Sequence, residues 1–233
     1  MNLPPAAVFA LDTVTLIRVG AVDASMATVL LARHGETTWN RSGRVQGWAP
    51  TPLTERGHDQ AAALGASLRS RPVDRLVSSD LRRAAETARH VVSETGVEPV
   101  FDSGWRERDF GCMQGLSVSE LFEDHPEYAL STSGSAAATA RPDSGETLVE
   151  TRDRVLDAWE RLHAEMGSDE TAVVVAHGGS IRLLLGSLQA YDIVDSILEI
   201  DQDTCALNEV VASEPRVVRQ NDTDHLPPSL RDD

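Results

Sequence analysis

The chain has 233 residues, 21 basic and 37 acidic, for a formal net charge of −16, and that length is ample for one sizeable core. Every basic residue is Arg and Lys is absent, which excludes a Walker A loop, a protein-kinase ATP lysine and Schiff-base or pyridoxal chemistry on this sequence. The acidic balance argues against nucleic-acid binding, which needs a basic face, and no run of ~18 uninterrupted apolar residues is present to span a membrane.

Residues 1–25 fit poorly with the rest of the chain: Pro4 and Pro5 lead into a semi-apolar stretch without the basic flank of a signal peptide. They are expected to form a weakly ordered extension, with Met26 as an alternative start. From Ala27 to Ala32 the chain is apolar and β-prone and reads as a buried strand. Thr54 is a plausible N-cap for a helix to about Arg69, with Ala61, Leu64 and Leu68 at helical spacing. Arg75–Ser78 reads as a short strand, followed by a helix capped by Ser79 or Asp80 and carrying Leu81, Ala84, Ala88 and Val91. Val97–Phe101 is a further strand, and Ser117–Tyr128 is helical but interrupted by Pro126. Residues 131–141, small and polar, are expected to be a mobile surface loop.

The clearest amphipathic helix runs from Glu146 to Met166, with Leu148, Val155, Trp159, Leu162 and Met166 on one stripe. Thr171–Ala176 is a second buried strand, His177-Gly178-Gly179 opens a helix through Leu188, and Cys205–Val211 is a late strand. The tail from Asn221 is charged and contains Pro, and is expected to fray. This alternation predicts an α/β three-layer sandwich, with a mostly parallel central sheet flanked by helices and a single domain over residues 26–220. Cys112 and Cys205 lie far apart in no metal-ligand spacing and read as reduced thiols of a cytoplasmic protein. The acidic, Lys-free composition has two readings, adaptation to high salt and a codon bias towards Arg; the excess of Asp and Glu favours the first.

The two strongest apolar strands end alike, in Ala32-Arg33-His34-Gly35 and Ala176-His177-Gly178-Gly179. Ligands of open α/β sheets sit beyond the carboxyl ends of parallel strands, so neighbouring strands would bring His34 and His177 to one pocket. Glycine beside each His lets the backbone approach a ligand, and the helix opening at Gly179 offers N–H groups to an anion. A metal site is disfavoured: no H-E-x-x-H, H-x-H or Cys/His cluster occurs, and Arg33 beside His34 suits a phosphate better than a divalent cation. A serine-esterase reading of His177-Gly178-Gly179-Ser180 lacks a G-x-S-x-G elbow.

Arg33-His34-Gly35-Glu36-Thr37, with Asn40 six residues after His34, resembles the signature of the histidine phosphatase superfamily, the phosphoglycerate-mutase-like enzymes. The likeness extends from Met26 to about Val211 through Gly43-Arg44-Val45-Gln46-Gly47-Trp48, Leu53-Thr54-Glu55-Arg56-Gly57, Ser78–Ala88, Arg106–Gly111 and His177-Gly178. The resemblance implies His34 as the nucleophile that forms a phosphohistidine, with a backbone carbonyl near Gly35 setting its tautomer. Arg33, Arg83 and His177 would clamp the phosphoryl oxygens, helped by Asn40 and the Gly178 N–H, and Gln46 would line the phosphate site. Glu107 would be the proton donor and then acceptor. No metal or other cofactor is expected; the expected partner is a small phosphorylated substrate, and a homodimer is possible on this sequence. Within the family, the Lys-free, compact stretch before His177 and the Gly43–Gly47 segment favour a phosphomonoester hydrolase. Gln114 is closer to the mutase pattern and keeps a cofactor-dependent phosphoglycerate mutase as the alternative, with a non-catalytic phosphate-binding module as a second.

Overall fold

The computed structural model describes residues 26–232; the expected N-terminal extension lies outside the described residues. Six strands form one sheet: β1 (Thr28–Arg33), β2 (Arg75–Ser78), β3 (Pro99–Phe101), β4 (Thr171–Ala176), β5 (Leu207–Val211) and β6 (Arg216–Asp222), in the order β3-β2-β4-β1-β5-β6. The β3-β2-β4-β1 part is parallel, whereas β5 runs antiparallel to both β1 and β6. The helices are α1 (Thr38–Arg41), α2 (Glu55–Leu68), α3 (Arg82–Thr95), α4 (Val118–Asp124), α5 (Leu130–Ser133), α6 (Ser135–Thr139), α7 (Leu148–Glu165), α8 (Gly178–Leu188) and α9 (Ile193–Leu198).

Successive strand residues point to opposite faces, and both faces of β1 and β4 are covered, which is why each reads as an unbroken apolar run. Val29 and Leu31 of β1, with Val174 of β4, pack against Val155, Trp159 and Leu162 of α7 and Ile181 and Leu184 of α8. Leu30 and Ala32, with Val173 and Val175, face Leu64 and Leu68 of α2 and Ala84, Ala88 and Val91 of α3. The three-layer α/β architecture expected from the alternation of elements is therefore present. Thr54 caps α2 by accepting from the Gly57 N–H, and Thr147 caps α7 in a capping box with Glu150.

Three local expectations require correction. Residues 131–141 are not an irregular loop: α5 and α6 occupy most of this stretch, because Ala137 and Ala138 are buried and Ala138 packs against Leu148 and Leu183. Gly134, with φ of 52°, separates the two helices. Neither Ser79 nor Asp80 caps α3, whose N-cap is Leu81; Ser79 faces His177 instead, and Asp80 pairs with Arg106. The segment from Asn221 does not fray. Asn221 and Asp222 end β6, Leu226 is buried in the α2/α3 layer, and the Asp232 carboxylate accepts from the Thr204 N–H and hydroxyl and from Arg56. The strand β6, charged and exposed at the sheet edge, was not expected from its composition, nor was α9, whose N-cap is Asp192.

Register positions the site. Arg33 is the β-partner of Ala176, so the next residues, His34 and His177, leave adjacent parallel strands at the same edge, and the His34 N–H donates to the Ala176 carbonyl at 3.0 Å. The turn after His34 lies directly on the first turn of α2: a methyl at Gly57 would collide with the Glu36 carbonyl, and one at Gly35 with the Gly57 carbonyl. Both obstacles are backbone and cannot rotate away. Gly57→Ala is expected to cost about 3 kcal/mol in chemical denaturation, at the upper end of overpacking effects, and to lower activity by displacing this turn.

Candidate active site

His34 is buried, and its Nδ1 lies 2.7 Å from the Gly35 carbonyl oxygen. A carbonyl only accepts, so Nδ1 carries the hydrogen and Nε2 keeps its lone pair. The tautomer is the one expected for a nucleophile. That lone pair meets the Arg83 Nε–H at 3.1 Å, and the same Nε–H reaches His177 Nδ1 at 3.2 Å. The two imidazole centroids are 5.1 Å apart. His177 Nε2 lies 2.8 Å from the Ser79 hydroxyl, which is thus part of the constellation although the sequence offered it only as a cap.

Arg83 is almost fully buried and is held from behind by the carbonyls of Gly47 and Ala49, at 2.8 and 3.2 Å from its Nη atoms. Gly47 has φ of 49°, and the Gln114 amide oxygen accepts from the Trp48 N–H in the same loop. Gln114 therefore supports the loop that seats Arg83. Arg33 donates to the Gln202 carbonyl through Nη1, while its buried Nε has no partner among the described residues.

Burial, followed by the Arg83 and Arg33 charges, holds the His34 imidazolium well below the usual imidazole range. Burial, then Arg83, His34 and Arg33, does the same for His177. Both rings are neutral at neutral pH, as a lone-pair nucleophile requires. Burial pushes Arg83 down to about 10, which leaves it a cation under the same conditions.

Glu107 enters from the segment before the 3₁₀ turn Gly111–Met113. Its carboxylate accepts from the Gly179 N–H at 3.0 Å and the Arg108 N–H at 2.8 Å. The carbonyl of Glu107 is fixed by the Trp48 indole N–H at 2.7 Å and by Arg154 at 3.1 Å. The Gly179 N–H, in the first turn of α8 and expected to face an anionic ligand, thus serves Glu107. Arg106 pairs with Asp80 and stacks over Trp48, and Arg108 bonds the carbonyls of Glu146 and Ala140, so neither makes an ion pair with Glu107.

One cavity of about 280 Å³ takes in Arg33, His34, Arg83, Glu107 and Gly178, with Asn40 and Gln46 on its wall. Asn40 Oδ1 accepts from the Thr37 N–H and Gln46 Oε1 from the Thr51 hydroxyl, with the one Thr37 hydroxyl hydrogen within reach of either oxygen, which leaves both NH₂ groups for a ligand. His177 sits against Arg83 at the base of this group. All eight sequence-derived site residues are thus brought together. Glu36 is turned away from them and bonds Thr54 and Arg56. His58, His90, His125, His163 and His225 do not line the cavity. Two residues that do, Arg108 and Arg182, were not singled out. The available signal for Arg182 was a lone Arg in the otherwise apolar run Ile181–Leu185 of α8.

The chain is 36% identical over 166 residues to the metal-independent phosphoserine phosphatase of Arabidopsis thaliana, covering 70% of this chain and 69% of that protein. It is 35% identical over 169 residues to phosphoglycerate mutase-like protein 4 of the same plant, covering 72% and 73%. Among solved structures, the mycobacterial glucosyl-3-phosphoglycerate phosphatase complexed with VO3 superposes with a TM-score of 0.73 at 30% identity, covering 84% of this chain and 99% of that one. The family model described as histidine phosphatase superfamily (branch 1) matches residues 29–223, from β1 past the end of β6. The chain belongs to the histidine phosphatase superfamily, branch 1.

Proposed function

We propose that the protein is a phosphomonoester hydrolase that passes the phosphoryl group of a small phosphorylated metabolite to His34 and then to water. The observation that carries this reading is the lone pair of His34 Nε2, set by the Gly35 carbonyl and aimed at the Arg83 guanidinium inside the cavity. The phosphoryl group takes the place between the imidazoles now bridged by the Arg83 Nε–H, with Arg33, Arg83, His177, the Gly178 N–H and the amides of Asn40 and Gln46 as donors to its oxygens. His34 Nε2 forms the N–P bond as the bond from phosphorus to the leaving oxygen breaks, and Glu107 delivers the proton to that oxygen. In the second half, Glu107 as carboxylate takes a proton from water, the water oxygen attacks phosphorus, and the N–P bond breaks to release phosphate.

No step of this sequence calls on a metal. Purified protein in excess EDTA is expected to hydrolyse p-nitrophenyl phosphate and to yield an acid-labile, base-stable phosphoenzyme. Protein that binds phosphate without ever labelling a histidine would instead be a silent module. The mutase alternative rests on Gln114, but that side chain supports the Gly47–Trp48 loop and is not part of the cavity wall. Rapid interconversion of 3-phosphoglycerate with its 2-isomer would restore it. We further propose a cytoplasmic setting, on two unpaired cysteines far apart in the chain, and a high-salt one, on the Lys-free acidic composition.

A further inference from the structure

Arg33 and His34 are backed by the turn of residues 202–206, through its backbone groups. The Arg33 N–H donates to the Ala206 carbonyl, Arg33 Nη1 donates to the Gln202 carbonyl, and the Cys205 N–H donates to the His34 carbonyl at 3.3 Å. Cys205 has φ of 56°, a left-handed conformation that an L residue keeps only where its surroundings enforce it. The turn belongs to no helix or strand. Its shape is set by what grips it.

Side chains from elsewhere in the fold do so. The Asn221 amide oxygen accepts from the Asp203 N–H at 2.7 Å. The Asp232 carboxylate accepts from the Thr204 N–H at 2.8 Å and from the Thr204 hydroxyl at 2.9 Å. Gln60, fully buried on α2, donates to the Thr204 hydroxyl and to the Leu230 carbonyl, each at 2.7 Å. Its Oε1 accepts from the Glu36 N–H at 2.8 Å. One buried amide thus ties together the turn after His34, the turn behind it and the segment that follows β6. Arg56 adds a second link, donating to Asp232 at 3.3 Å and to Glu36 at 3.0 Å. The segment itself is seated by the buried Leu226, and the Arg231 Nε–H closes it into a loop on the Leu226 carbonyl at 3.0 Å. The Asp232 charge also acts on Arg33.

Resting on the hydrolase reading above, we propose that residues 223–232 form a strap that positions the phosphoryl-transfer site, locked by Asp232 and bridged to the catalytic turn by Gln60. Asp232 is not on the cavity wall, so it is a positioning residue. It fixes the 202–206 turn, and that turn fixes the Arg33 fork and the His34 backbone. Reacting groups tolerate displacements of only about 1 Å, so a loosened turn weakens the transition state more than substrate binding.

The test compares wild type, Asp232→Ala and Asp232→Asn in excess EDTA, well below the thermal midpoint of each. The readouts are kcat and KM for p-nitrophenyl phosphate, and the Kd of orthovanadate by titration calorimetry. Asp232→Ala is expected to lower kcat about 10- to 100-fold with KM changed less than about threefold, and to weaken orthovanadate about tenfold or more. Asp232→Asn keeps an acceptor for the Thr204 N–H but loses the charge that Arg56 meets, and is expected to fall between. Should the alanine variant not fold, Asp232→Asn carries the same comparison. Leu162→Ala, on α7 across the sheet from the strap, is the control: it lowers the thermal midpoint by opening a cavity and is expected to leave kcat and orthovanadate affinity unchanged. Wild-type kcat and orthovanadate affinity in both Asp232 variants overturn the strap. So does a loss in Leu162→Ala equal to that in Asp232→Ala, which would mark general destabilisation. A wild type that hydrolyses no ester overturns the hydrolase reading, and orthovanadate affinity then decides the strap by itself.

Discussion

His34→Asn is expected to reduce kcat for p-nitrophenyl phosphate by at least about 10⁴-fold and to abolish phosphoenzyme formation, with little change in thermal midpoint. The size follows from the role: removing a nucleophile removes the bond-forming atom itself, and such losses in covalent catalysis run to several orders of magnitude. The fold is spared for a local reason. An Asn side chain amide can still donate to the Gly35 carbonyl, the bond that His34 Nδ1 makes at 2.7 Å, and the Arg83 guanidinium keeps its anchors on Gly47 and Ala49. What disappears is the Nε2 lone pair. Steady-state hydrolysis in EDTA and a quench experiment with radiolabelled phosphate report the two readouts independently. Residual turnover above about 1% of wild type in His34→Asn would assign the nucleophile elsewhere.

The same buried imidazoles make the protein acid-labile well above the carboxylate range. Both His34 and His177 are held below the imidazole value they would have in the unfolded chain. As pH falls through about 6.5, the unfolded state therefore takes up protons that the folded state refuses. The unfolded state then binds more protons, so unfolding free energy rises with pH across this window and levels off above it. Each such group contributes at most about 1.4 kcal/mol per pH unit, so with both rings still neutral in the folded protein the pair is expected to cost about 2 kcal/mol between pH 6 and pH 5. His225 and His90, also lowered by burial, act with the same sign. Ion-paired carboxylates such as Asp80 and Glu86 are held low and stay charged throughout this range. Urea denaturation at half-unit steps from pH 7.5 to 5 measures the slope. His34→Asn and His177→Asn should each make it shallower, and a flat profile would mean that the imidazoles become charged inside the folded protein.

The order of elements was legible because both faces of the central strands are covered. Val29–Ala32 and Ala172–Ala176 cannot be other than buried strands, and α7 shows its stripe plainly. The elements that escaped are those whose burial depends on distant partners: α6, whose Ala138 packs against Leu148 and Leu183; β6, stabilised by pairing with β5; and the segment around Leu226, packed in the α2/α3 layer. In each, the local residues are small, charged or Pro-containing, and local propensity alone does not announce the contact.

The amino-acid order by itself determined that two histidines, each followed by glycine, end two apolar strands, and that arginine is the only fixed cation available to them. Side-chain identity carries that much because phosphoryl transfer needs a particular set of groups. Only the tertiary structure decided which nitrogen of His34 is free, that Glu107 takes the Gly179 amide in the first turn of α8, that Ser79 belongs to His177, and that Arg108 and Arg182 share the cavity with Arg33 and Arg83. Apart from the bond between His34 and its neighbour Gly35, those facts are distances between residues far apart in the chain. Strand register and helix packing create them, and no local pattern encodes them.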